Sequence, residues 1–185
     1  MGDGQGVDKQ KTESDRLMPA TNNSQTGIKQ MMPGDLRAWL DERTLACVVL
    51  EAQQAIKPPY WKQGTIPGNA DAPRPQVLLT LLTYAYASGT LPSEEIEKQT
   101  EKDPTFRYLC ARTYPTESML RQFRRQNRIL IRQCLARVFE AAWQQRFGQT
   151  SDAEVSKMWL PALLNLEAEK RILYAVQLDS MAMDV

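Results

Sequence analysis

Eight arginines and a single acid, Glu117, lie between Arg107 and Arg137, with no lysine among them, in a chain of 185 residues whose net charge is only +1. Arg121, Arg124, Arg125, Arg128 and Arg132 fall within about a third of the circumference of one helix at 3.6 residues per turn. Leu120, Phe123, Leu130, Ile131, Cys134 and Val138 gather on a neighbouring arc, so the spacing predicts a helix that docks on a core and turns a cationic stripe to solvent. A guanidinium fork pairs bidentately with phosphate or with a guanine edge, which a lysine ammonium does not, so the composition points to a polyanion. A solvated face that only keeps the protein in solution fits the charge pattern as well.

Other chemistries are largely excluded. The chain has no histidine, which removes His-based triads, HExxH zinc sites and imidazole acids and bases. Cys47, Cys110 and Cys134 are odd in number, far apart and set among apolar residues. They read as core thiols in a reducing compartment, with no disulfide framework and no zinc site. No cofactor and no metal is expected, and no nucleophile and base pair stands out as the centre of an enzyme. The N-terminus lacks the apolar core of a signal peptide and no apolar run reaches the length of a membrane span, so a cytoplasmic protein, nucleoid-associated when bound to DNA, is expected.

The elements that must hold the arginines are helical. Residues 1–33 are polar and aperiodic and are expected to be a disordered tail. Apolar residues at helical spacing predict a helix from Asp35, as N-cap, to Ile56, closed by Pro58-Pro59. A Pro- and Gly-rich stretch from Lys57 to Pro75 reads as a long loop. The almost wholly apolar run from Pro75 to Ala87 predicts a buried central helix. Ser93 opens the next helix with Glu94 and Glu95 in its first turn, Asp103-Pro104 starts a short one, and Tyr114-Pro115-Thr116 breaks the chain before the arginine helix, with Thr116 or Ser118 as its cap. That helix ends near Gly148. Ser151-x-x-Glu154 reads as a capping box for a last helix bent near Pro161. No segment reads as a strand, and the fold class is all-α: residues 34–147 as a compact helical domain with a helix-turn-helix-like pair, and 148–185 as a helical tail.

The run Pro75-Gln-Val-Leu-Leu-Thr-Leu-Leu-Thr-Tyr-Ala-Tyr-Ala-Ser-Gly89, followed in order by Ile96-Glu97, Phe106-Arg-Tyr-Leu109, Pro115 and Phe123-Arg124-Arg125, resembles the N-terminal domain of InsH-type insertion-sequence transposases. The likeness covers roughly residues 35–143. It implies an all-helical region that recognises transposon ends, normally followed by a ribonuclease-H-like domain with an Asp-Asp-Glu metal site. By position, Phe123 is the apolar anchor of the last motif, and Arg124 and Arg125 are its basic pair. Two departures stand out: Pro92 and Glu94 replace the family's Ser and Arg, and after Gly148 the chain gives a helical tail of about 35 residues in place of the catalytic fold. Asp152 and Glu154 are better explained by helix capping than by metal binding.

The resulting expectation is a non-catalytic, transposase-derived protein that binds double-stranded DNA through Arg112, Thr116, Ser118, Arg121, Gln122, Arg124, Arg125, Arg128 and Arg132. Gln122, Arg121 and Arg125 reach base edges, and the hydroxyls and amides at the helix start meet a phosphate. A second reading is a helical interaction module that pairs with itself or with a full-length transposase through its C-terminal helices, along the face of Met158, Trp159, Leu163 and Leu166.

Overall fold

The computed structural model describes Met1 and residues 32–56, 73–148 and 153–183, with side chains of the last segment described from 159 to 182. The residues expected to form the N-terminal tail, the Pro-rich loop and the Ser151 capping box therefore lie almost wholly outside the described ones. Met32–Val185 form one compact unit. Among the described residues there are six α-helices, one 3₁₀ turn and no strand, so the protein is all-α.

The centre is α2, Pro75–Ala87, in which every residue from Leu78 to Ala87 is buried. Pro75 at its first position needs no amide partner and presets the helical φ. A helix apolar on all sides must be covered on all sides, and α1 (Glu42–Ala55), α4 (Pro104–Leu109) and α5 (Glu117–Phe147) cover it. Tyr84 meets Phe106 of α4 edge to face, with ring centroids 5.2 Å apart. Between them in sequence runs α3, Ser93–Lys102. Asp103 ends α3 and starts α4 by accepting hydrogen bonds from the amides of Thr105, at 2.7 Å, and Phe106, at 3.0 Å.

The segment expected as one helix from Asp35 to Ile56 is two pieces. Asp35 caps only a 3₁₀ turn, Leu36–Ala38. Asp41 then starts α1 afresh, accepting from the Thr44 amide at 2.9 Å and from its hydroxyl at 2.6 Å. Two Asp caps six residues apart compete for the helix start, and the break lets Trp39 turn onto the far end of α5. There its ring lies 6.2 Å from Trp143 and 5.4 Å from Phe147.

The two long helices, α5 and α6 (Ala153–Met183), pack along each other. Their pairing is antiparallel, because Asp179 meets Arg121 and Arg124 while Glu169 meets Arg128 and Arg132. Within the segment expected as a tail, α6 thus contributes a wall of the core: Leu160, Leu164, Ala168, Ile172 and Ala175 are buried at helical spacing. Pro161 sits inside α6 without ending it. In α5, Asn127 leaves helical geometry (φ −123°, ψ 25°), and its side-chain amide donates to the Phe123 carbonyl at 3.1 Å. A side chain that substitutes for the backbone ladder in this way accounts for the kink.

Gly89 ends α2 in the left-handed conformation, φ +80°, and lets the Thr90 amide reach back to the Ala85 carbonyl at 2.8 Å. A Cβ there would stand 3.0 Å from the Gly34 carbonyl oxygen. Gly89→Ala is expected to lower stability by about 1–2 kcal/mol through backbone strain, read as a lower urea midpoint at an unchanged slope.

Candidate nucleic-acid interface

The chain enters α5 through a tight reversal in which Ala111, Arg112 and Tyr114 all adopt positive φ, between 42° and 59°. Neither Thr116 nor Ser118 caps the helix with its side chain; their hydroxyls lie 3.1 Å from each other, exposed. The cap comes from α3 instead, where the Glu97 carboxylate accepts from the Glu117 amide at 2.7 Å. Glu117 in turn pairs with Arg121 one turn on.

The five arginines do not form one outward ridge. Arg124 is only 3 % exposed. One of its terminal nitrogens donates to the Tyr86 hydroxyl at 2.8 Å and to Ser93 Oγ at 3.3 Å, and the other bonds Asp179. Arg121 leans to the same carboxylate, with Nε 3.5 Å from it. Arg128 pairs with Glu169, and Arg132 lies 3.8 Å from that acid, each leaving about two-fifths of its side chain in solvent. Arg125 alone of the five is exposed with no ion pair among the described residues. The expectation of a solvent-facing guanidinium stripe is thus corrected. The arc that carries the arginines is the arc α6 covers, and α6 brings its carboxylates with it.

The signal was present in α6. Asp179 continues the spacing of Ala168, Ile172 and Ala175, so it lies on the buried stripe, and a carboxylate there requires a cation opposite. Burial by itself raises the Asp179 carboxyl; hydrogen bonds from the Ser93 hydroxyl at 2.6 Å and amide at 2.8 Å, together with Arg124, outweigh it and hold the group below the usual carboxylate range. Burial disfavours the charged form of Arg124 too, yet Tyr86 and Asp179 raise it above its ordinary value. Tyr86, wholly enclosed, is pushed up to about 12 by burial. Ser93 is therefore committed to Asp179 and offers nothing to a phosphate.

A different face of α5 looks outward. Ser118, Gln122, Arg125, Gln126 and Ile129 are all exposed, Ile129 by 63 %. Residues 122, 125, 126 and 129 have the i, i+3, i+4, i+7 spacing of a single helix face. These side-chain types match what base edges present in a major groove: Gln pairs with adenine, Arg with guanine, and an aliphatic group packs on the thymine methyl. Of the residues expected to read bases, Gln122 and Arg125 lie on this face and Arg121 does not. Arg112 is exposed in the preceding turn. Gln126 and Ile129 carry no charge, so the charge pattern of α5 does not mark them, although their helical spacing from Gln122 does.

Among the described residues, no group of three or more potential metal ligands converges, and no helix is long and apolar enough to cross a membrane. Residues 49–126, from the middle of α1 to the outward face of α5, match the family model of a transposase domain (DUF772). This region is therefore transposase-related. No curated protein and no solved structure matches the chain.

The buried pair makes stability sensitive to acid. The folded Asp179 carboxyl is held low, so its contribution is fully present above its unfolded value of about pH 4 and is lost as pH falls through the lower folded value. Asp179→Ala is expected to cost about 3–5 kcal/mol by leaving Arg124 buried without its counter-charge. Asp179→Asn is expected to flatten the acid limb of a plot of urea midpoint against pH; an unchanged limb would show that Asp179 carries none of it.

Proposed function

We propose that this chain is a non-catalytic, transposase-derived DNA-binding protein that seats duplex DNA on the outward face of the first half of α5. The observation that carries the reading is the juxtaposition of Gln122, Arg125, Gln126 and Ile129 on one exposed helix face inside a transposase-related region. Arg125 and the flanking Gln side chains take base edges, and Arg112 with the Thr116 and Ser118 hydroxyls takes phosphates on either side. Arg128 and Arg132 stand at the edge of the face, where a phosphate can replace the shared Glu169 carboxylate as their partner. Arg121 and Arg124 act as structural residues in this reading. Transposon ends are the class of DNA that the resemblance implies.

Fluorescence anisotropy with labelled duplexes tests the proposal. Two or three arginines meeting phosphates give a log-affinity against log-salt slope of about −2 to −3. Arg125→Ala is expected to weaken binding roughly tenfold or more, while Gln122→Ala lowers discrimination between sequences by about 1–3 kcal/mol. Absence of binding at about 50 mM salt, where counterion release favours association most, disposes of the reading.

A further inference from the structure

The side of α6 turned away from the core carries a second apolar stripe. Leu166, Leu173, Tyr174 and Met181 are exposed by 65, 44, 53 and 67 %, and Lys170 and Gln177 complete the row. At 100° per residue these six lie within about 100° of arc, over roughly 22 Å of helix. The core needs none of them, since Leu164, Ala168, Ile172 and Ala175 already fill the inner side. The stripe also walls a groove of about 840 Å³ whose far side is formed by Asp35, Gly89 and Leu91. An exposed, mainly apolar row of this kind on a helix that already has its core partner marks a contact surface.

We infer that this face pairs with the same face of a second copy of the chain, α6 against α6, antiparallel about a two-fold axis between residues 173 and 174. The register is what identifies the occupant. A two-fold at that point brings Leu166 opposite the partner's Met181, Leu173 opposite the partner's Tyr174 and Lys170 opposite the partner's Gln177. Every apolar position then meets an apolar one, and the charged position meets a neutral amide. Just outside the row, Glu167 falls opposite a serine, residue 180. A parallel, in-register pair would instead set Lys170 against Lys170 and align the two helix dipoles, both unfavourable. An isologous contact requires a patch complementary to itself after rotation, and this stripe has that property. Covering the four apolar side chains on both copies removes on the order of 1,000 Å² of surface, the threshold of a specific interface. The dimer does not depend on DNA binding, since the outward face of α5 takes no part in it.

Sedimentation equilibrium of the full chain without DNA is the first measurement. The expected result is a reversible dimer of the 21.1 kDa chain, with a Kd on the order of micromolar. Leu173→Asp, on an exposed position and so without effect on the circular dichroism of the fold, is expected to raise that Kd at least tenfold. Register is read by cross-linking in a Cys47→Ser background, because Cys47 is the exposed native thiol. A mixture of Lys170→Cys and Gln177→Cys chains is expected to form a mixed disulfide well above either homodisulfide. A monomer at about 200 μM, a dimer indifferent to Leu173→Asp, or homodisulfides as abundant as the mixed one would each overturn the inference.

Discussion

A guanidinium with no access to water must be matched by a carboxylate, and the Arg124–Asp179 pair is the constraint around which the helices are set. Four elements meet there: α5 supplies the cation, α6 the acid, α3 the Ser93 donors and α2 the Tyr86 hydroxyl. Such a pair contributes little net stability against an apolar replacement, but removing one member is costly, so its main effect is to fix register. Sliding α6 by one turn along α5 would strand both charges. Arg171 does similar work a little over two turns earlier on α6. Its guanidinium donates to the Tyr86 carbonyl at 2.8 Å and the Gly34 carbonyl at 3.0 Å, with its carbon 4.6 Å from the centre of the Phe139 ring. Burial lowers the Arg171 pKa from its ordinary value.

Placed against the helix ends, these two residues complete what local caps leave open at the end of α2 and the start of α3. The last carbonyls of α2 receive a cation, and the first amide of α3 receives an anion, each the sign that the end of a helix favours. Pro92, at the N-cap of α3, has no side chain able to accept from that amide. A helix end left open locally is thus closed from a distant part of the chain. The same device recurs where Glu97 of α3 closes the start of α5. Much of the segregated charge seen along the sequence is consumed in this way, which is why a chain with arginine concentrated in one helix offers solvent a mixed face of amides with Arg125 among them.

Local rules made much of the fold legible. The almost wholly apolar run marked α2, Asp103-Pro104 marked α4, and the boundaries of α5 and the all-α class followed from the Pro115 break, Gly148 and periodicity. What escaped depended on neighbours remote in sequence. The apolar and cationic arcs of α5 adjoin, and no helical wheel says whether the boundary between them is solvent or another helix. Asp35 and Asp41 can each cap a helix, and the helix expected from Asp35 starts at Asp41 instead, where Trp39 is free to pack on α5. The candidate site was half legible: Gln122 and Arg125 belong to the outward face, whereas Arg121 and Arg124 serve the interior. Residue type announces what a side chain can bind, but packing decides whether it is free to do so.

The separation of those long-range caps has a consequence for biosynthesis. Arg171 and Asp179 lie 85 and 86 residues after the groups of α2 and α3 that they close. At roughly 5–20 residues per second, the two earlier helices wait about 4 to 17 s on the ribosome before their partners are made. Until then the last carbonyls of α2 and the first amide of α3 lack their charged partners. The nascent chain therefore has a defined interval in which chaperone capture competes with native closure, and it ends only when the last helix clears the exit tunnel.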